Sequence, residues 1–218
     1  MTTVCKQKYN ELIYTSNKNN LYVNLFIPSR LNWKTQEVVI TQNTRFPDEE
    51  TVTFTINAKK ASKFTLNLRY PAWVAAGALK VTVNGKPVAV TALPGSYLAI
   101  NRKWKDGDKV TLQLPMQTKV EELPDKSNYI AVFHGPIVLA AKTDTAEMKG
   151  LFADDSRGGH VASGRQFPIA EMPMFVSDKK DIAARIRPVP GKALTFTAAD
   201  VIYQEKSSQS HYVQLLPL

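Results

Sequence analysis

The sequence predicts an all-β fold, an antiparallel, jelly-roll-like β-sandwich followed by a loop-rich segment able to form a second small β domain. Three observations predict it. Apolar and polar residues alternate in short runs, the period of a strand buried on one face. Turn-forming residues interrupt those runs at intervals of about 8–12 residues, the spacing of sandwiches and barrels. Helical periodicity is nearly absent, and two packed sheets are favoured over a closed barrel. With 44% hydrophobic and 22% charged residues among 218, the chain has the composition of a globular protein with a core.

Residues 9–14 read as the last turns of a helix, so residues 1–18 are expected to be a helical lead-in. The first strand covers 21–27 and is closed by Pro28; residues 37–41 form the next. Residues 51–57 alternate hydroxyl and apolar side chains, and 64–70 repeat the pattern up to Pro71. The strongest local signal is Asn84-Gly85 between the alternating runs 79–83 and 86–90. A two-residue hairpin turn needs positive φ at both positions, which Asn and Gly tolerate. Residues 97–100, the turn 105–108, and the runs 109–114, 118–121, 129–133 and 137–141 complete the main sandwich, residues 19–142. Residues 143–192 are rich in glycine and proline, and 193–197 are expected to return as an edge strand. The run from His211 stops at Leu218 without a turn. Both ends read as cut, and 143–218 is expected to be a truncated wrapping segment with extra strands.

The net charge of +9 raises the question of nucleic acid, but the cations are dispersed. Their densest groups are Lys59-Lys60, Lys103-Trp104-Lys105 and Lys179-Lys180. No basic helix, zinc-finger spacing or aromatic RNA-binding signature accompanies them, so a solvated basic surface is expected and no nucleic-acid partner. No apolar run approaches the roughly 20 residues of a membrane span. Without a secretory leader the chain as written is expected in the cytoplasm. A lone cysteine, Cys5, excludes an internal disulfide and a cysteine-based zinc site.

Hydrolytic acid–base work needs two carboxylates held at a defined separation. Asp106 and Asp108 flank the glycine of a tight turn, where aspartate caps backbone amides. Glu121 and Glu122 are strand neighbours and point to opposite faces. Asp154-Asp155-Ser156-Arg157, beside Gly158-Gly159-His160, lies in an extended loop. The three histidines, His134, His160 and His211, have no metal-ligand spacing, and no nucleophile elbow or phosphate loop occurs. Trp33, Trp73 and Trp104 could stack on a sugar ring, although Trp73 and Trp104 also suit the ends of a core. The candidates for sugar contact are Trp73, Trp104, Asp154, Arg157 and His160. No catalytic residue, metal ligand or cofactor site is assigned.

Several of these segments, in order, carry a resemblance. They are Leu21-Tyr22-Val23-Asn24-Leu25-Phe26-Ile27-Pro28-Ser29, Leu68-Arg69-Tyr70-Pro71-Ala72-Trp73, Val83-Asn84-Gly85, Tyr97-Leu98-Ala99-Ile100 with 102–108, and Phe133-His134-Gly135-Pro136-Ile137-Val138-Leu139-Ala140. Residues 150–157 and 188–192 add to them. From about Lys8 onward the chain resembles the β-L-arabinofuranosidases of glycoside hydrolase family 127, once filed as domain of unknown function 1680. The resemblance implies a C-terminal β-sandwich region whose parent also has an (α/α)6 barrel. That barrel holds a zinc ion bound by cysteines and a glutamate, and one cysteine is the nucleophile. The family's paired-cysteine motif falls where Met1 to Gln7 stand here, and Cys5 does not match it. The resemblance therefore leaves the barrel, the zinc and the acid–base glutamate outside this chain.

Three functions follow as expectations. The first is a non-catalytic accessory sandwich that packs on the parent's helical barrel, with homo-oligomers a further possibility through that surface. The second is a stand-alone carbohydrate-binding module, which would show aromatics on one sheet face. The third is a hydrolase using the Asp154–His160 loop.

Overall fold

The computed structural model describes residues 11–125, 127, 129–141, 174–175, 181–202 and 211–217. The chain divides into two compact units, residues 1–117 with 134–136, and residues 118–133 with 137–218.

The first unit contains two sheets. The four-stranded sheet has the order β1-β2-β6-β9, built from β1 (Tyr14–Asn17), β2 (Asn20–Val23), β6 (Ser62–Tyr70) and β9 (Ser96–Trp104). The six-stranded sheet has the order β3-β4-β5-β10-β7-β8. Its strands are β3 (Ser29–Trp33), β4 (Val38–Thr44), β5 (Thr51–Ala58), β7 (Lys80–Val83), β8 (Lys86–Val88) and β10 (Asp108–Gln113). Alternation decides which face each strand buries. Val52, Phe54 and Ile56 of β5 meet Phe64, Leu66 and Leu68 of β6 in one core, with Ile40, Leu98, Ile100, Val110 and Leu112. Two sheets closing on a shared core make the expected sandwich.

The helical lead-in ends earlier than expected: residues 11–13 are helical and Tyr14 already begins β1. The strand expected over 21–27 ends at Val23, because residues 24–28 cross from one sheet to the other. Gln42, 1% exposed, holds that crossing: its Nε2 donates to the carbonyls of Leu25 (3.2 Å) and Ile27 (2.8 Å). Tyr14 Oη donates to Gln42 Oε1 at 3.3 Å, so this buried amide is satisfied. Among the described pairings of these two sheets all are antiparallel but one, that of β2 with β6, which is parallel. A parallel pair needs a long crossover, supplied here by β3, β4 and β5 in the opposite sheet.

The Asn84-Gly85 turn forms as expected, with φ of 51° and 77° and Val83 opposite Lys86. The strand expected over 97–100 runs on to Trp104 and is a full partner of β6.

The second unit contains a seven-stranded sheet, order β11-β12-β13-β17-β16-β14 with β15 also on β16. Its strands are β11 (Thr118–Glu122), β12 (Ile130–His134), β13 (Ile137–Ala141), β14 (Met174–Phe175), β15 (Ile186–Pro188), β16 (Phe196–Ile202) and β17 (His211–Pro217). A four-residue helix, α1 (Ile182–Arg185), joins its core of Val132, Leu139, Ile182, Ile186, Phe196, Ala198 and Leu215. The seam lies at 117/118, not at 142/143, because β13 pairs with β17, setting Leu139 opposite Pro217. The strand expected at the edge, here β16, is interior, with β17 on one side and β14 and β15 on the other.

Candidate functional site

The carboxylates of the 105–108 turn are committed to structure. Asp106 Oδ1 accepts from the Ala58 N–H at 3.1 Å and from Asn57 Nδ2 at 3.4 Å. Asp108, 6% exposed, accepts from the Lys105 N–H at 2.9 Å and from Asn84 Nδ2 at 2.8 Å. The Arg102 guanidinium stands 3.6 Å from it. Burial pushes the Asp108 carboxyl up, but those hydrogen bonds and the charges of Arg102 and Lys105 outweigh it and hold it below the ordinary carboxylate value. Asn84 Oδ1 in turn accepts from the Lys109 N–H at 2.8 Å, so the hairpin turn and the aspartate turn lock each other. An acid held ionised in a closed set of bonds fixes two turns and has no proton to give a glycosidic oxygen.

Trp104 is fully buried; its Nε1–H donates to the Phe64 carbonyl at 3.1 Å and its ring stacks on Phe64 at 5.6 Å. No face is open to a sugar, which removes it from the sugar-contact candidates. Trp73 is half-buried against the core and stacks on Phe46, centroids 5.9 Å apart and planes 14° apart. Asp154, Arg157 and His160 lie outside the described residues. Among the described residues no three His, Cys, Asp or Glu side chains converge to hold a metal ion. The zinc that the family resemblance implies therefore has no donor set in them.

Two surface features of the first unit remain. A shallow groove of about 380 Å³ lies at the β4–β5 end, lined by Pro28, Asn43, Arg45, Glu49, Thr51 and Thr53 among others. The Arg45–Glu49 ion pair at 3.1 Å spans one helical-turn spacing beside it and is largely exposed.

The second feature was missed by reasoning from the sequence: the outer face of the four-stranded sheet carries a tyrosine pair. Tyr22 and Tyr97 meet edge to face, centroids 5.3 Å apart. Tyr97 Oη donates to Asn24 Oδ1 at 2.7 Å, and Arg69 Nη1 donates to the Asn24 carbonyl at 3.4 Å. Asn24 Nδ2 reaches the Leu12 carbonyl at 3.1 Å, which ties the helical turn to this face. The signal was present: Tyr22 and Tyr97 sit at the polar phase of alternating strands, where a large aromatic ring has no core to enter.

Residues 20–116 match the family model of the β-L-arabinofuranosidase GH127 middle domain, and residues 119–218 match that of a domain of unknown function. Among solved structures, one titled glycoside hydrolase aligns at TM-score 0.62 and 24% identity, over 97% of this chain and 35% of its own. A GH127 β-L-arabinofuranosidase from Geobacillus stearothermophilus T6 aligns at 0.61 and 21%, over 96% of this chain and 32% of its own. A GH127 β-arabinofuranosidase aligns at 0.60 and 21%, over 94% and 33%. At these identities the likeness is one of fold, and the chain spans about a third of the length of these structures. No curated protein matches it.

Proposed function

We propose a function from the premise that the chain belongs to the GH127 β-L-arabinofuranosidase family, residues 20–116 being its middle domain and residues 119–218 the adjoining domain of unknown function. The chain is the accessory β region of a glycoside hydrolase, without catalytic activity of its own, and its working neighbour is the helical barrel domain that supplies the chemistry. The observation that carries this reading is the closed bonding of the buried Asp108, beside the exposed Asp106, whose Oδ1 caps the Ala58 N–H. Retaining and inverting hydrolysis alike need an acid to protonate the leaving oxygen and a second group on the other side of the sugar, a carboxylate in most families and a cysteine in the one this chain resembles. Asp108 is not free for either task, and Asp106 is the cap of an exposed turn. Incubating the chain with an aryl β-L-arabinofuranoside tests the reading: release of the aryl alcohol above background contradicts it.

A second reading, a carbohydrate-binding module that works alone, is favoured by the Tyr22–Tyr97 pair on the outer sheet face. Sugar binding without hydrolysis satisfies both readings together, because an accessory domain can hold substrate for its neighbour.

A further inference from the structure

The strands of the β1-β2-β6-β9 sheet contain no aspartate or glutamate. Their outward phase nevertheless presents three exposed cations, Lys63 and Arg69 on β6 and Lys103 on β9. The register sets Lys63 directly opposite Lys103. Like charges facing each other across a strand pair destabilise it, and no acid on the sheet offsets them. Arg69 stands opposite Tyr97, six residues further along β6. At the rise of a strand the two cationic ends lie about 20 Å apart, longer than one sugar ring.

Between those ends the outward positions carry no charge. Thr65 and Asn101 face each other, as do Asn67 and Ala99, and Tyr22 continues the latter row. Ala99 is exposed and small, leaving a low floor beside the two tyrosines. Asn67 Nδ2 is used by the Leu21 carbonyl at 3.3 Å. Amides and hydroxyls in this setting suit the hydroxyls of a sugar, and a tyrosine ring offers an apolar face with a polar tip. Guanidinium and ammonium groups at the two ends suit carboxylates, the guanidinium in a two-pronged geometry.

We propose that this face, with the Tyr22–Tyr97 pair beside Arg69 at one end and Lys63 with Lys103 at the other, binds a polysaccharide bearing uronate carboxylates. The choice of a sugar among anions rests on the glycosidase reading; the preference for an anion rests on the charges alone. The site does not depend on whether the chain hydrolyses anything, so a failed hydrolysis assay and a failed binding assay are separate results.

The test is calorimetric titration of the whole chain with a galacturonate oligomer, a neutral arabinan oligomer of equal length, and polyglutamate. The galacturonate oligomer is expected to bind and to weaken on raising salt from about 0.05 M to about 0.5 M, as exposed charge pairs do. Tyr97→Ala is expected to weaken it about tenfold, and Arg69→Gln about fivefold with a shallower salt dependence. Tyr97→Phe keeps the ring and retains most of the affinity. Lys80→Gln combined with Lys109→Gln, on the other sheet, leaves it unchanged. Circular dichroism of each variant verifies folding, and Arg69→Gln, an exposed change, decides the matter if Tyr97→Ala misfolds. The proposal is overturned by absence of binding, by equal affinity for the neutral oligomer, or by equal affinity for polyglutamate, which would mean an acidic protein partner. It is equally overturned if the two control lysines matter as much as Arg69, which would mean diffuse attraction to a basic surface.

Discussion

Asp108 is held ionised at a buried position by Asn84, the Lys105 N–H and Arg102, and this makes it a pH-dependent support. Its folded-state carboxyl lies below the ordinary value of 3.8, so its contribution is complete above that value and is lost as pH falls through the folded value. Asp108→Asn is expected to cost about 1–3 kcal/mol at pH 7 and progressively less below pH 4, as read by urea unfolding. His134 acts in the same direction: burial pushes it below 6.5, partly opposed by Glu50. The unfolded chain takes up that proton first, so stability falls as pH drops from about 6.5, and His134→Gln should flatten this limb. Gly135 beside it has φ +58°, and a Cβ there would lie 2.5 Å from Met116 Cγ. Gly135→Ala is expected to cost about 1–3 kcal/mol, and Met116→Ala in the same chain should recover only the overlap, not the backbone strain. The aspartate turn was legible because Asp-Gly-Asp is local chemistry. Its ties to Asn84 and Arg102 were not, because they join residues distant in sequence or read as ordinary surface.

Strand β9 contains both a fully buried large aromatic, Trp104, and an exposed one, Tyr97. Tyr97 and Trp104 are seven positions apart, and an odd separation on one strand sends them to opposite faces. That parity was readable, yet the strand was expected to end at Ile100, because the polar run Asn101-Arg102-Lys103 hides the alternation. Trp104, just before the expected turn 105–108, suited the end of a core but could also have faced a sugar. Trp104→Ala is expected to cost about 3–5 kcal/mol by leaving a cavity against Phe64, whereas Tyr97→Ala costs about 1 kcal/mol or less. Comparing the two by urea unfolding checks the assignment of faces, and equal costs would contradict it. The Asn84-Gly85 hairpin was legible because its turn chemistry is nearly deterministic. The parallel β2–β6 pairing was not, because it depends on where a three-strand crossover returns, which no short window of residues records.

Across the chain, the all-β class and the alternating core were legible, since a period of two survives wherever one strand face is buried. The seam at 117/118 was not, because alternation continues through β11, β12 and β13 and the break is one of partnership: β13 pairs with the distant β17. Of the candidate site residues, Trp104 is buried for a related reason, while Asp154, Arg157 and His160 lie outside the described residues. Tryptophans drew notice as sugar platforms, but residue type does not tell which sheet face a ring occupies; strand parity does. The net charge of +9 read as dispersed along the sequence, while the fold gathers Lys63, Arg69 and Lys103 on one acid-free face. The central claim is that this β region has no glycosidase chemistry of its own. Its most direct test is release of an aryl alcohol from an aryl β-L-arabinofuranoside by the 218-residue chain with zinc and a reductant, beside Cys5→Ser and Asp154→Asn. Background release in all three samples is the predicted result; release above background that disappears in either variant would contradict it.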